Sequence, residues 1–286
     1  MFFSTRIARL FALAAAAVVC SAPFLHAGPR TVLFPSNAVY QKISGRKVKI
    51  MPLGNSITSA FDGQASYRYW LWKTLERTGY AWKCDFVGTM RGVDDFEGAV
   101  PAYPDFDQDH EGHRGRLTEN IWSYISTYMQ ANVPDIVLWH MGTNDIGEGI
   151  DPNMTRIAMK SILDTIRAYN PNVVIIMGIV IDSWLNYSLH RQLNELTAWL
   201  GILNDIPQSP IILVDMFSSL NLSTDYMGDR LHPNQQGEQK LAARWFEALR
   251  PVLNAMIGKP CEICLLYTSD AADDLLCVDL GGRRII

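Results

Sequence analysis

Short runs of almost unbroken apolar, largely β-branched residues alternate along this chain with longer amphipathic segments. Strands with no polar alternation are buried on both faces, which is typical of a parallel sheet covered by helices. The runs predict five strands: Val48–Leu53, Cys84–Val87, Ile136–His140, Val173–Val180 and Ile211–Met216. The amphipathic segments predict helices over Tyr67–Arg77, Thr118–Gln130, Met154–Tyr169, Leu189–Leu203 and Gln236–Leu249, the last followed by Pro251. This order predicts an α/β fold, a three-layer α/β/α sandwich around a central parallel sheet of about five strands.

The amino-terminal end departs from this pattern. Residues 1–27 begin with Arg6 and Arg9, continue with an apolar run over residues 10–20, and reach a small residue at Ala27. The run is shorter than the ~20 residues that cross a bilayer. A basic start, a short apolar centre and a small residue are typical of a cleaved secretory signal, so we expect a secreted protein.

The rest of the chain divides into three parts. Residues 28–46 are predicted to be an N-terminal extension and residues 47–259 one domain of ordinary size. Residues 260–286 have no clear hydrophobic period and hold three of the five cysteines. We expect this segment to be a disordered or artefactual tail. No metal site is predicted on Cys261 and Cys264, because a zinc site normally needs four such ligands and the domain holds one further cysteine.

Charge and hydropathy exclude some partners. The formal net charge is -4 and no run of lysine or arginine occurs, which argues against a nucleic-acid partner. No other apolar segment is long enough to span a membrane. The domain is therefore expected to lack a membrane span. It is also expected to be a monomer and to need no cofactor.

A serine follows the first predicted strand in the sequence Leu53-Gly54-Asn55-Ser56. In open α/β sheets, sites form outside the carboxyl ends of the strands, where this hydroxyl can reach a substrate. The backbone N–H of Ser56 could also face a developing oxyanion. The alternative is a Gly-Asn turn in which the serine caps a helix.

A second motif, Asp229-Arg230-Leu231-His232-Pro233, lies just before the last predicted helix. An aspartate three residues ahead of a histidine can accept the imidazole N–H. That hydrogen bond fixes the tautomer and leaves the other ring nitrogen free as a base. The alternative is a helix-capping loop with an incidental histidine.

Two further motifs carry possible hydrogen-bond donors. Gly142-Thr143-Asn144-Asp145 ends the third predicted strand, and the Asn144 amide could stabilise a carbonyl oxygen that turns negative. The alternative is a polar turn. In the long irregular stretch from Arg91 to Arg116, Gly115 could lend a backbone N–H.

In this order and on this strand pattern, the four motifs resemble the blocks of the SGNH (GDSL-type) hydrolase family. The resemblance spans Val48–Leu249 and implies a flavodoxin-like fold and ester hydrolysis through an acyl-enzyme. It implies a catalytic triad of nucleophile, orienting acid and base: Ser56, Asp229 and His232. It also implies an oxyanion hole: Ser56, Gly115 and Asn144. One position departs from the family block, because Asn55 stands where an aspartate is usual.

Within the family, this chain is most similar to carbohydrate esterase family three, the acetyl-xylan esterases. The stretches that carry the similarity are IMPLGNSIT, YRYWLWKTL, FVGTM, DHEGHRG, WHMGTNDIG and DRLHPNQQGEQKLA. They imply removal of acetyl groups from an acetylated polysaccharide or oligosaccharide. Asn55, His113 and the loop residue Trp184 are expected to contact that substrate. Two alternatives stay open: a lipase or thioesterase acting on longer acyl esters, and a carbohydrate-binding relative that has lost catalysis.

Overall fold

The computed structural model describes residues 32–93 and 98–259 of the chain. The expected signal, residues 1–27, and the expected tail, residues 260–286 with Cys261 and Cys264, lie outside the described residues. The strands are β1 (Val32–Leu33), β2 (Val48–Gly54), β3 (Cys84–Phe86), β4 (Met90–Arg91), β5 (Asp109–Gly112), β6 (Ile136–His140), β7 (Val174–Gly178) and β8 (Ile211–Val214). The helices are α1 (Ser56–Ser59), α2 (Ser66–Arg77), α3 (Thr118–Ala131), α4 (Thr143–Gly147), α5 (Pro152–Tyr169), α6 (Tyr187–Leu203) and α7 (Gln235–Ile257). Short 3₁₀ turns occur at Ala81–Lys83 and Phe217–Ser219.

The strands form one mixed sheet in the order β1-β8-β7-β6-β2-β5-β4, and β3 pairs with the first half of β2 beside β5. The five predicted strands are confirmed to within two residues, and all five pair in parallel. The short strands β1, β4 and β5 were not predicted, and β1 and β4 pair antiparallel at the edges. Because β1 joins the sheet, the folded domain begins before residue 47.

Successive side chains of the central strands enter two separate cores. Ile50, Leu138 and Ile176 pack with the side chains of α2 and α7 on one face. Their chain neighbours, which include Met51 and Val137, pack with α3, α5 and α6 on the other. Burial on both faces explains why these strands show no polar alternation.

The last helix does not end before Pro251, as the sequence predicted, but continues to Ile257. A proline inside a helix costs about 3 kcal/mol. Beyond it, Val252, Leu253 and Met256 are all buried in the core beneath the sheet. Each such side chain contributes ~1.5–3 kcal/mol on burial, so the burial of all three outweighs the cost of a proline inside the helix.

Strand β2 is the point at which the order of the sheet reverses. From β2 the chain moves to β3 and β5 on one side, and then returns to β6 on the other. Loops that follow the carboxyl ends of strands at such a point diverge and leave a crevice. The turns after β2, β5 and β6 therefore meet at one edge of the sheet, and they carry Ser56, Gly115 and Asn144.

Gly54, the last residue of β2, lies tightly against its neighbours. A Cβ at this position would lie 2.3 Å from the His140 carbonyl oxygen and 2.4 Å from Thr58 Oγ1. Glycine is needed here because the turn that carries Ser56, called the serine turn below, folds back onto the neighbouring strand β6.

Gly54→Ala is expected to destabilise the protein by ~2 kcal/mol or more, because the added methyl group meets backbone that cannot move away. In a domain of this size, 1 kcal/mol shifts the unfolding midpoint by ~2–4 °C, so thermal unfolding should begin clearly earlier. Gly147→Ala is the matched control, since a Cβ there meets Leu185 at an ordinary contact distance of 3.9 Å. Equal midpoints for the two variants would contradict this account.

Candidate active site

Ser56 is the first residue of the short helix α1, directly beyond the end of β2. Asn55 caps this helix, and its Oδ1 accepts the N–H of Ile57 at 3.1 Å. The side chain of Asn55 is only 1% exposed. A side chain this buried shapes the turn that carries Ser56 from beneath, whereas the sequence predicted that Asn55 contacts substrate. The capping role that the sequence left open for Ser56 belongs to Asn55.

A chain of hydrogen bonds joins the serine to an imidazole and a carboxylate. Ser56 Oγ lies 2.9 Å from His232 Nε2, across 176 residues of sequence. His232 Nδ1 lies 2.7 Å from Asp229 Oδ2. A hydroxyl in this arrangement can pass its proton to the imidazole while the carboxylate stabilises the resulting cation.

The loop that carries the histidine and the aspartate is closed on itself. Asp229 Oδ1 accepts the N–H groups of Leu231 and His232, each at 3.0 Å. The N–H of Met227 donates to the His232 carbonyl oxygen at 2.8 Å. Partial burial raises the pKa of Asp229, but the hydrogen bonds from His232 and Leu231 outweigh it and hold the pKa below its usual value. The carboxylate is therefore ionised at neutral pH.

Phe61 holds the imidazole from the side. Its ring meets the His232 ring edge to face, with centroids 4.5 Å apart and an angle of 87° between the planes. The Arg114 guanidinium lies over the same phenyl ring at 4.4 Å. Packing of this kind restricts the orientation of the imidazole. Phe61 could not be identified from the sequence, because it lies outside every motif.

Gly115 and Asn144 lie in the turns that follow the two strands beside β2. The N–H of His113 donates to the Gly54 carbonyl oxygen at 3.0 Å, which ties the Gly115 turn to the end of β2. Asn144 Nδ2 donates to the carbonyl oxygen of Arg116 at 2.9 Å, which links the two turns. An amide nitrogen has two hydrogens, so one N–H of Asn144 stays available for a further acceptor. Gly115 is exposed and left-handed, with φ of 70°.

The two other expected substrate contacts differ in accessibility. The His113 side chain is 13% exposed, lies 2.6 Å from the buried Glu111 carboxylate, and stacks on Tyr128 at 4.7 Å. These contacts make His113 a support for the Gly115 turn rather than an open binding residue. Trp184 is 63% exposed, and its backbone N–H meets the Arg230 carbonyl oxygen at 3.5 Å beside the Asp229 loop. Its indole is therefore open to solvent next to the site.

Arg68, which no motif identified, holds the serine turn from below. Its fully buried guanidinium donates to the carbonyl oxygens of Thr58 at 2.8 Å and Ser59 at 2.9 Å, both in α1. It also bonds the carbonyl oxygens of Gly92 and Gln108. Burial lowers the pKa of Arg68 to about 10, which leaves it charged at neutral pH. An arginine in an amphipathic segment is usually on the surface, so the sequence pointed away from this role.

A small pocket of about 240 Å³, including its open mouth, lies between Ser56, His232 and Phe61. Glu238, from the first turn of α7, contributes to its wall and is 6% exposed. Burial raises the pKa of Glu238 to about 7, and the nearby Arg68 opposes this only in part.

Two negative findings concern the described part of the chain only. No three histidine, cysteine, aspartate or glutamate side chains come together there as metal ligands. None of its helices combines the length and the apolar character needed to cross a bilayer.

Comparison with known proteins agrees with the geometry. A multidomain esterase from Ruminococcus flavefaciens is 29% identical over 280 residues, which cover 89% of this chain but 35% of that protein. The chain thus spans about a third of this curated relative. A carbohydrate esterase of family 3 from Talaromyces cellulolyticus is 28% identical with a TM-score of 0.64, over 72% of this chain and 98% of that one. An acetyl esterase variant solved with an acetate ion is 27% identical with a TM-score of 0.64. The match covers 72% of this chain and 98% of that one.

The fold, the site and these relatives together define a carboxylic-ester hydrolase of the GDSL type. The model of the GDSL-like lipase/acylhydrolase family matches residues 53–240, more than half of the sequence. The chain belongs to this family.

Glu238 gives the stability of the protein a specific pH dependence. Because its pKa is raised from 4.5 to about 7 on folding, the native state binds the proton more tightly than the unfolded chain. The carboxyl group therefore stabilises the fold below pH 4.5, and this contribution is lost as the pH rises through about 7. As the pH rises from 4.5 to 8, the unfolding midpoint of Glu238→Gln should rise relative to that of the unaltered protein. Glu148→Gln, at an exposed position, is the control; parallel curves for all three proteins would refute the assignment.

Proposed function

We propose that this protein is a secreted serine esterase that removes O-acetyl groups from a carbohydrate through an acyl-enzyme intermediate. The observation that carries the proposal is the continuous contact from Ser56 Oγ through His232 to Asp229, at 2.9 and 2.7 Å. A binding protein has no need of a hydroxyl, an imidazole and a carboxylate held in one line.

In the proposed first half-reaction, Ser56 Oγ attacks the acetyl carbonyl carbon and transfers its proton to Nε2 of His232. Asp229 keeps the other ring nitrogen protonated and stabilises the imidazolium. The carbonyl oxygen becomes negative and accepts hydrogen bonds from the N–H groups of Ser56 and Gly115 and from the Asn144 amide. Each donor of this kind is worth ~3–4 kcal/mol in the transition state.

The tetrahedral intermediate then collapses. The bond to the sugar oxygen breaks, and His232 returns its proton to that oxygen, so the carbohydrate leaves with a free hydroxyl group. A water molecule, deprotonated by His232, attacks the acetyl-serine in the second half-reaction. Acetate leaves and the proton returns to Ser56 Oγ.

Several observations support a small acyl group on a sugar. The pocket lined by Ser56 and His232 is small, about 240 Å³ even with its open mouth included. The relatives include a family 3 carbohydrate esterase and an acetyl esterase. The exposed indole of Trp184, beside the Asp229 loop, offers an aromatic face to a sugar ring.

The replacement of the usual aspartate by Asn55 is compatible with catalysis. Asn55 caps α1 and forms none of the contacts that join Ser56, His232 and Asp229. Its neutral amide therefore does not alter the charge pair on which proton transfer depends.

Export of the protein would suit this substrate, since a polysaccharide cannot enter a cell. The support is the basic start and short apolar run of residues 1–27. Secretion can be tested by following the mature amino terminus in the culture medium.

Ser56→Ala is expected to lower kcat for 4-nitrophenyl acetate by about 10⁴-fold or more, because the nucleophile is lost. Ser123→Ala, on the exposed face of α3, is the control and should keep the activity of the unaltered protein. Thermal unfolding of both variants checks that they are folded. Turnover by Ser56→Ala at an undiminished rate would remove the nucleophile assignment.

The size of the acyl group can be tested with one series of esters. We expect 4-nitrophenyl acetate to be hydrolysed efficiently and the octanoate at most poorly, because the pocket beside Ser56 is small. Acetate release from acetylated xylan, pectin and chitin-type polymers then identifies the alcohol component. Octanoate turnover as fast as that of acetate would favour the lipase or thioesterase alternative.

A further inference from the structure

A second cleft, of about 400 Å³, opens between the first turns of α3 and α5. Both helices begin at the carboxyl edge of the sheet, because α3 follows β5 and α5 follows β6. The cleft therefore lies at the same end of the molecule as Ser56.

The wall of this cleft continues directly from the expected oxyanion donors. Asp145, which lines it, is the chain neighbour of Asn144, and Leu117, which also lines it, is the neighbour of Arg116. Asn144 Nδ2 donates to the Arg116 carbonyl oxygen at 2.9 Å. Two residues of the cleft wall are therefore next in sequence to the two residues that this hydrogen bond joins.

The lining is apolar and aromatic, with acidic groups and no lysine or arginine. The Trp122 indole is 42% exposed, although the neighbouring Ile121 on α3 is buried in the core. Met154 and Ile157 of α5 are 59% and 45% exposed. A surface of this kind disfavours an anion and suits a neutral molecule with flat apolar faces and hydroxyl groups, which describes a pyranose ring.

The two acidic residues of the cleft have different roles. Asp145 is 2% exposed and accepts hydrogen bonds from Thr118 Oγ1 at 3.0 Å and Thr155 Oγ1 at 3.1 Å, which hold the starts of α3 and α5 together. Glu119 is exposed, one turn before Trp122, and can accept hydrogen bonds from sugar hydroxyls.

The position of the cleft also distinguishes between the two parts of an ester. The acyl chain is bonded to the carbon that Ser56 attacks, so it must lie in a space bordered by Ser56. Neither Ser56 nor His232 lines this cleft. A part of the ester substrate that occupied this cleft would therefore be the alcohol part, at a distance from the reacting bond.

We propose that the cleft at Trp122 is a binding subsite for a neutral sugar ring of the polysaccharide whose acetyl group lies at Ser56. This inference rests on the proposed function. It predicts that a polymeric alcohol makes binding contacts in this cleft that small esters do not make.

The first experiment measures binding without turnover. Titration calorimetry with xylohexaose is carried out on Ser56→Ala and on the same protein with Trp122→Ala, Trp122→Phe or Trp82→Ala. Trp82 is the matched control: it is 68% exposed but precedes β3, and so lies at the opposite edge of the sheet. We expect Trp122→Ala to weaken binding about fivefold or more, Trp122→Phe to restore part of it, and Trp82→Ala to change it less than twofold. Equal affinity in all four proteins would overturn the proposal.

The second experiment compares kcat/KM on acetylated xylan with kcat/KM on 4-nitrophenyl acetate. With Ser56 intact, the ratio of kcat/KM on acetylated xylan to kcat/KM on 4-nitrophenyl acetate should fall in Trp122→Ala. The same ratio should be unchanged in Trp82→Ala. If Trp122→Ala instead changes the octanoate-to-acetate ratio alone, the cleft holds an acyl chain and the subsite is refuted. If the unaltered protein releases no acetate from carbohydrates while xylohexaose binding still depends on Trp122, the proposed function fails. The subsite as part of an ester-binding site fails with it, and only the sugar contact at Trp122 is retained.

Discussion

Strand β2 pairs in parallel with β6 on one side and with β5 on the other. This pairing sets the positions of the turns that follow the three strands at the carboxyl edge of the sheet. In the register of the sheet, Gly54 lies opposite Gly112 and His140. A shift of one residue would exchange the two buried faces of β2, so the register is strongly specified. The turns that carry Ser56, Gly115 and Asn144 therefore start from three points fixed by backbone hydrogen bonds. The geometry of the site is a property of the sheet more than of the loops.

The serine turn is further secured by polar groups buried beneath it. Among the residues that the structure describes, the buried Arg68 guanidinium donates to four backbone carbonyl oxygens. Hydrogen bonds of charged groups contribute about 1.5–3 kcal/mol each. Four of them are of the size needed to offset the several kcal/mol that it costs to bury one ion. The charged Arg68 side chain therefore joins α1 to the two loops that contain Gly92 and Gln108.

Most of the fold could be predicted from the sequence, because its strongest signals are local. The unbroken apolar runs Ile136–His140 and Ile211–Met216 could be recognised without knowledge of their partners, since burial on both faces leaves the same pattern at every strand. The Asp229–His232 pair was equally accessible, because both residues lie in one short loop. Relating that pair to Ser56 needed the family resemblance, since no spacing rule connects residues on distant loops.

The features that sequence reasoning missed all depend on distant contacts. Strand β5 consists of Asp109–Gly112, whose polar residues show no strand pattern, and it forms because it completes the edge of β2. The continuation of α7 through Pro251 depends on the core that meets its last turns. Phe61 and Arg68 acquire their roles only from what packs against them. Asn55 was placed among the ligand contacts because its neighbour is reactive, whereas its side chain points inward.

The separation of 176 residues between the serine and its base has a consequence for biosynthesis. A ribosome releases Ser56 early, but the imidazole and carboxylate follow only with the loop before α7, near the end of the fold. A partly made chain therefore carries an ordinary, unreactive alcohol. The contact between Ser56 Oγ and His232 Nε2 can form only after the loop before α7 has been synthesised.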